Sequence, residues 1–225
     1  MAQPLDLQEQ EQLDALKSFW KSYGNLITWA LVAALAVYAG LNGWKWWQRD
    51  QAAKAAAMYG QLEQAAQAGD AQRSGQIFND LKERYPRTVQ AEQAGLLAAR
   101  VQFERGQADA AKASLEWVAE HASEDEYKTV ARLRLAGLLL QAKDFEGALK
   151  QLDAAKAPTF AALVADRRGD VLLAQGKTAE ARAAYQAAWK AMDEKVEYRQ
   201  LIDAKLTALG AAPAAPASKA SEAGR

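Results

Sequence analysis

Side chains able to do chemistry are few in this chain, and they are scattered. The one histidine, His121, lies in AEHASEDEY beside Glu120, Glu124 and Asp125, a grouping that invites a metal or a proton relay. The plainer reading is a solvated helix terminus, with Glu124, Asp125 and Glu126 starting the next helix, where negative charge suits the dipole. Asp166 and Asp170 share one helix face at i, i+4 spacing, which serves an acid and base pair but equally serves solvent or salt-bridge contacts. Cysteine is absent, which removes disulfides, thiol catalysis, cysteine-ligated metal and a lipid anchor on cysteine. No phosphate loop, nucleophile elbow or dinucleotide fingerprint occurs. The sequence therefore names no catalytic residue, no cofactor-binding residue and no metal ligand, and it reads as a non-enzyme. Lys+Arg and Asp+Glu are both 28, so no broad basic field exists to hold nucleic acid.

What the elements must position is apolar surface. Residues 22–44, SYGNLITWALVAALAVYAGLNGW, carry no charge, and at about 1.5 Å per residue they would cross a hydrocarbon layer of about 30 Å. Tryptophan and tyrosine favour a site that is dry at one end and wet at the other. Trp44, Trp46 and Trp47, with Lys45 and Arg49, form one expected membrane-interface belt; Trp20 and Tyr23, with Lys17 and Lys21, form the other. Ala34-Leu35-Ala36 resembles a signal-peptide cleavage site, but the uncharged segment is too long and the region before it is long and acidic. Ala30 with Ala34, and Ala36 with Gly40, have the spacing that lets a second membrane helix approach. Counting Lys17 and Lys21 against Lys45, Arg49 and Lys54 does not assign the orientation. Residues 1–21 form an amphipathic segment with Leu13, Leu16 and Trp20 on one stripe; it either rests on the interface or docks on a membrane partner. Residues 45–54 read as an interfacial linker rich in aromatic and basic side chains.

Beyond residue 54 the chain repeats itself. Turns at QAGDAQRSG, ERGQADAAK, QAKDFEGAL and AQGKTAEAR place Gly69, Gly106, Lys143 and Gly176 in register, 37, 37 and 33 residues apart. The period is near the ~34 of a tetratricopeptide repeat. Glycine suits the left-handed end of a helix, so Lys143 makes the third turn the least regular. Five residues after each turn position stands Ser74, Ala111, Ala148 or Ala181, and four later Phe78, Leu115, Leu152 or Tyr185. Small then large is what two closely approaching helices need. Pro86 and Pro158 stop the second helices of units one and three. The fourth unit fits the tetratricopeptide pattern best, through Gly169, Leu172, Gly176, Ala181, Tyr185 and Ala188, and the first fits it least.

The predicted fold is all-α: one N-terminal transmembrane helix, then a tetratricopeptide-like α-solenoid over 55–210 of about four hairpins, with a capping helix at Val196–Leu209. Residues 211–225 read as a disordered tail. The first helix of each unit should line an inner surface, which puts Tyr59, Glu63, Leu96, Arg100, Leu133, Gly137, Asp166 and Asp170 on or near the partner-binding face. Clamps for a C-terminal carboxylate need lysine, asparagine and arginine there, and this set does not supply them. A groove for extended, partly apolar segments fits better.

EQEQLDALKSFWKSYGN, residues 9–25, standing before a single span resembles the YfgM family of ancillary SecYEG translocon subunits, through Glu11, Leu16, Lys17, Phe19 and Trp20. The resemblance implies a single-pass protein of a Gram-negative inner membrane, with a cytoplasmic N-terminus and periplasmic repeats. It also implies partners: the SecYEG translocon, a periplasmic chaperone of the PpiD type and unfolded secretory chains, beside the lipid bilayer itself. The expected function is that of a membrane-anchored scaffold needing no cofactor. The competing reading is an envelope assembly or cell-division coordinator that self-associates through its repeats.

Overall fold

The structure is a computed structural model that describes residues 7–211, so the expected tail at 211–225 lies, apart from Ala211, outside the described residues. The described residues form helices and no strand. Helix α1 (Leu7–Gln67) runs unbroken through the described part of the expected amphipathic segment, whose residues 1–6 lie outside the described residues, and through the span and linker, whose alanines favour helix. The chain divides after Gln51 into two compact units.

In the first unit the apolar side chains of α1 face outward. Leu26, Trp29, Val37 and Tyr38 are all more than 60% exposed. Among the described residues α1 is the one helix long and apolar enough to cross a membrane. Its polar groups bond to their own helix: the Thr28 hydroxyl donates to the Gly24 carbonyl at 2.7 Å, and the Asn42 amide donates to the Tyr38 carbonyl at 2.9 Å. That pairing matters where no water can replace it.

The second unit, from Ala52, contains the end of α1 and then α2 (Ala71–Arg84), α3 (Val89–Glu104), α4 (Ala108–His121), α5 (Asp125–Gln141) and α6 (Phe145–Ala154). A 3₁₀ turn (Pro158–Phe160) leads into α7 (Ala161–Ala174), α8 (Thr178–Ala191) and α9 (Tyr198–Ala208). Four hydrophobic clusters follow one another along this unit. The first joins Leu62 of α1, Phe78 of α2 and Ala94 of α3; the second joins Leu115 of α4 and Leu135 of α5 with Ala99. The third joins Leu139, Leu152 and Val171; the last joins Leu172, Tyr185 and Ile202. Each hairpin is thus closed by the first helix of the next, and α9 closes the fourth. This is the solenoid and its cap.

Ser74, Ala111, Ala148 and Ala181 are completely buried, and the four large partners Phe78, Leu115, Leu152 and Tyr185 are buried to within 2%. Each such side chain contributes on the order of 1.5–3 kcal/mol through its removal from water. At Gly95 and Gly169 a side chain of the next helix fills the space of a Cβ, which would sit 2.4 Å from Val118 and Tyr185 respectively.

The turns correct one expectation. Lys143 adopts the left-handed conformation, φ 60°, just as Gly69, Gly106 and Gly176 do at 66°, 75° and 78°. In each, the next backbone N–H donates five residues back, as Asp144 does to the Leu139 carbonyl at 2.8 Å. The third turn is therefore as regular as the others, because these backbone bonds hold a non-glycine residue in place. Asp144 then caps α6, accepting from the Gly147 N–H at 2.9 Å. A fifth turn of the same kind at Gly210, φ 67°, ends α9, with Ala211 donating to the Leu206 carbonyl at 2.9 Å.

Candidate partner-binding cleft

Three first helices lie side by side: α5 touches both α3 and α7. The Arg134 Nη1 donates to the Leu96 carbonyl at 2.9 Å, and the Gln93 amide to the Tyr127 hydroxyl at 2.9 Å, which fixes α5 on α3. On the far side Arg132 reaches two helix ends, donating to the carbonyl of Ala119 on α4 at 3.3 Å and to that of Ala154 on α6. Carbonyls at helix C-termini lack partners within their own helix, so a guanidinium between two of them sets the spacing of the second helices.

Between α3, α5 and α7 opens a cleft of about 620 Å³. Phe103, Leu133 and Leu163 supply apolar walls, and Arg100, Arg134 and Arg167 supply one cation from each helix. Arg100 leans on Glu104 at 3.5 Å, with both side chains more than half exposed, and Arg167 lies 3.3 Å from Asp170. Arg134 has no carboxylate within salt-bridge distance among the described residues. Burial, and secondarily the neighbouring Arg100 guanidinium, lower the Arg134 pKa from its ordinary value.

The expected partner-binding residues divide. Arg100, Leu133 and Gly137 line the cleft. Leu96 is half-buried and does not line the cleft; it packs against the second cluster. Tyr59 and Glu63 stand apart on α1; the Tyr59 pKa is raised, first by burial and then by Glu63 and Tyr127. Asp166 turns inward. It is 1% exposed, and it accepts from Lys205 Nζ at 2.8 and 2.9 Å and from the Tyr198 hydroxyl at 2.8 Å. Asp170 joins the same network, accepting from Lys205 at 2.7 Å and from the Tyr185 hydroxyl at 2.9 Å. The pair therefore holds the cap α9 to α7 and α8, and Asp166 presents no carboxylate to the cleft. Burial, then hydrogen bonds to these carboxylates, raise the pKa of both Tyr185 and Tyr198 far above the ordinary phenol value.

Phe103, Arg134, Leu163 and Arg167 escaped the sequence reading. Their signal was present: Leu163, Asp166, Arg167 and Asp170 form one helical stripe, of which the reading took two positions. Arg134 and Arg167 occupy equivalent places before the third and fourth turns.

His121, the last residue of α4, is exposed, stacks on Trp117 with ring centroids 5.2 Å apart and approaches the Trp117 carbonyl at 3.0 Å. No group of three or more potential metal ligands is assembled among the described residues. On α1 the expected interface residues Trp20, Tyr23, Trp44, Trp46 and Trp47 are all exposed. Trp20 and Trp44 are separated by a rise of about 36 Å at 1.5 Å per residue.

Hairpins closed by the next first helix, capped at one end and preceded by a long apolar helix, define a helical-repeat protein of the tetratricopeptide kind. The family model for a tetratricopeptide repeat-like domain matches residues 17–211. An ancillary SecYEG translocon subunit of Neisseria gonorrhoeae is 32% identical over 205 residues, covering 90% of this chain and 98% of that protein. Its counterpart in Escherichia coli is 31% identical over 188 residues, covering 81% and 87%. A third, from Haemophilus influenzae, is 27% identical over 185 residues, covering 81% and 89%. The chain belongs to the YfgM family, that of the ancillary SecYEG translocon subunits.

Proposed function

We propose that this protein is a single-pass inner-membrane scaffold that associates with the SecYEG translocon and binds a periplasmic chaperone, emerging secretory polypeptides, or both, through its repeats. The N-terminus is cytoplasmic and the repeats are periplasmic. Trp20 and Tyr23 mark one interface of the span; Trp44, Trp46 and Trp47 mark the other. The observation that carries this reading is the pairing of an outward-facing apolar helix with a mostly apolar cleft on one chain. Tethering confines the cleft near its clients and raises their effective concentration, so individually weak contacts suffice. The relatives' names support the translocon as the partner.

A photocrosslinking amino acid placed at Leu133 in the cleft, and separately at Trp46, tests it in intact cells. Adducts with a chaperone or a stalled secretory chain from the first position, and with translocon subunits from the second, are the expected result. Recovery of none of these from either position overturns the reading.

A further inference from the structure

Building on the proposed binding role of the cleft, its charge specifies what kind of segment it takes. The chain as a whole is neutral, yet the cleft draws one arginine from each of three consecutive first helices. Two of them have anionic neighbours, Glu104 and Asp170, and the Asp170 carboxylate is already shared with Lys205 and Tyr185. Arg134 is tied to the Leu96 carbonyl and lacks a carboxylate partner among the described residues. A solvent-reachable guanidinium without a carboxylate partner, lining the same cleft as Arg100, leaves positive charge for an incoming anion to meet. Around these cations the wall is apolar, and it includes one amide, Gln141, but no lysine or asparagine. Such a lining lacks the groups that would fix a chain terminus, whereas cations spread over three helices suit a segment laid across them.

We propose that the cleft between α3, α5 and α7 receives an extended peptide segment, setting an internal Asp or Glu side chain against Arg100 and Arg134 and the flanking apolar side chains on Phe103, Leu133 and Leu163. Specificity then resides in the acidic residue, and apolar contact supplies the sequence-tolerant part. Emerging or unfolded chains with an acidic side chain between apolar ones are held; uniformly apolar or basic stretches are held less well.

The test uses the full chain in phosphatidylcholine nanodiscs and fluorescence anisotropy. The probes are labelled nine-residue peptides, N-acetylated and C-amidated, with Leu and Phe around a central Glu, Gln or Lys, plus the Gln peptide with a free C-terminal carboxylate. The Glu peptide should bind about tenfold tighter than the Gln peptide, the lower end expected of a hydrogen bond to a charged group. Lys should bind weaker than Gln, and the preference should shrink with salt. Within each variant, Arg100→Gln or Arg134→Gln should bring the ratio of Glu-peptide to Gln-peptide affinity close to one. Arg100→Gln keeps the Arg134 bond between α3 and α5, so the result is readable even if Arg134→Gln unfolds the repeats. Equal affinity for all amidated peptides, lost on Leu133→Asp, overturns the acidic preference and leaves the cleft as the binding site. Preference only for the free C-terminus also overturns it. No binding, or binding indifferent to Leu133→Asp, overturns both the preference and the cleft.

Discussion

Replacing Lys205 by Met should loosen the cap helix before anything else in the repeat unit. Lys205 Nζ bridges Asp166 and Asp170 at 2.7–2.9 Å, and its loss leaves Asp166 with the Tyr198 hydroxyl alone and Asp170 with the Tyr185 hydroxyl and Arg167. Asp166 has almost no access to water, so little solvent can replace the ammonium. Breaking a buried ion pair by removing one partner costs about 3–5 kcal/mol; the 22% exposure of Lys205 argues for the lower end, about 3 kcal/mol. For a domain of this size that lowers the midpoint of thermal unfolding by roughly 6–12 °C. Because a solenoid opens from its ends, hydrogen exchange should accelerate first in α9 and α8, with α2 and α3 unchanged at low temperature. Circular dichroism melts and peptide-resolved exchange on the full chain measure both. Asp166→Leu added to Lys205→Met should recover part of the loss, since it removes the more deeply buried of the two carboxylates that lose the lysine. A shift under 2 °C with unaltered exchange in α9 would refute the assignment of this network as the latch of the cap.

Lys143→Gly should stabilise the repeats by about 0.5–1 kcal/mol in denaturant melts, since a non-glycine residue in the left-handed region is strained by about 1–2 kcal/mol and glycine's greater unfolded-state entropy offsets part of the gain. Gly169→Ala should destabilise by about 1–3 kcal/mol in the same melts, because the new methyl meets the Tyr185 ring at 2.4 Å. Alkaline pH should weaken the fold. The folded-state pKa values of Tyr185 and Tyr198 lie above the unfolded value of 10.0, so their stabilisation is complete below pH 10 and declines as the pH rises beyond it. Tyr198→Phe should make that decline smaller by about 1.4 kcal/mol in total between pH 9 and 11 in urea titrations, because one phenol fewer ionises on unfolding.

Locally periodic features were legible in the sequence. An uncharged stretch of 23 residues between Lys21 and Lys45 states its own solvent, and a small residue five positions after a turn with a large one at nine states how two helices approach. These rest on spacing along one helix, which a sequence carries directly. Gly210 lies 34 residues after Gly176, but with no hairpin after it the reading did not count it among the turns. Lys143 was misjudged because residue type sets only a preference for the left-handed turn, whereas the backbone bonds of Lys143 and Asp144 to α5 impose it.

The tertiary structure alone decided what covers each face. Leu133 and Asp166 hold equivalent positions in successive units, yet one lines a cleft and the other is buried. The equivalence fails because the neighbour changes: α5 is followed by another hairpin, whereas α7 meets the cap, and Lys205 arrives on Asp166 from 39 residues away. Periodicity specifies which side chains share a stripe. Only the packing of distant helices determines whether that stripe meets a lysine, a leucine or water, and hence which arginines are left with charge to offer a partner.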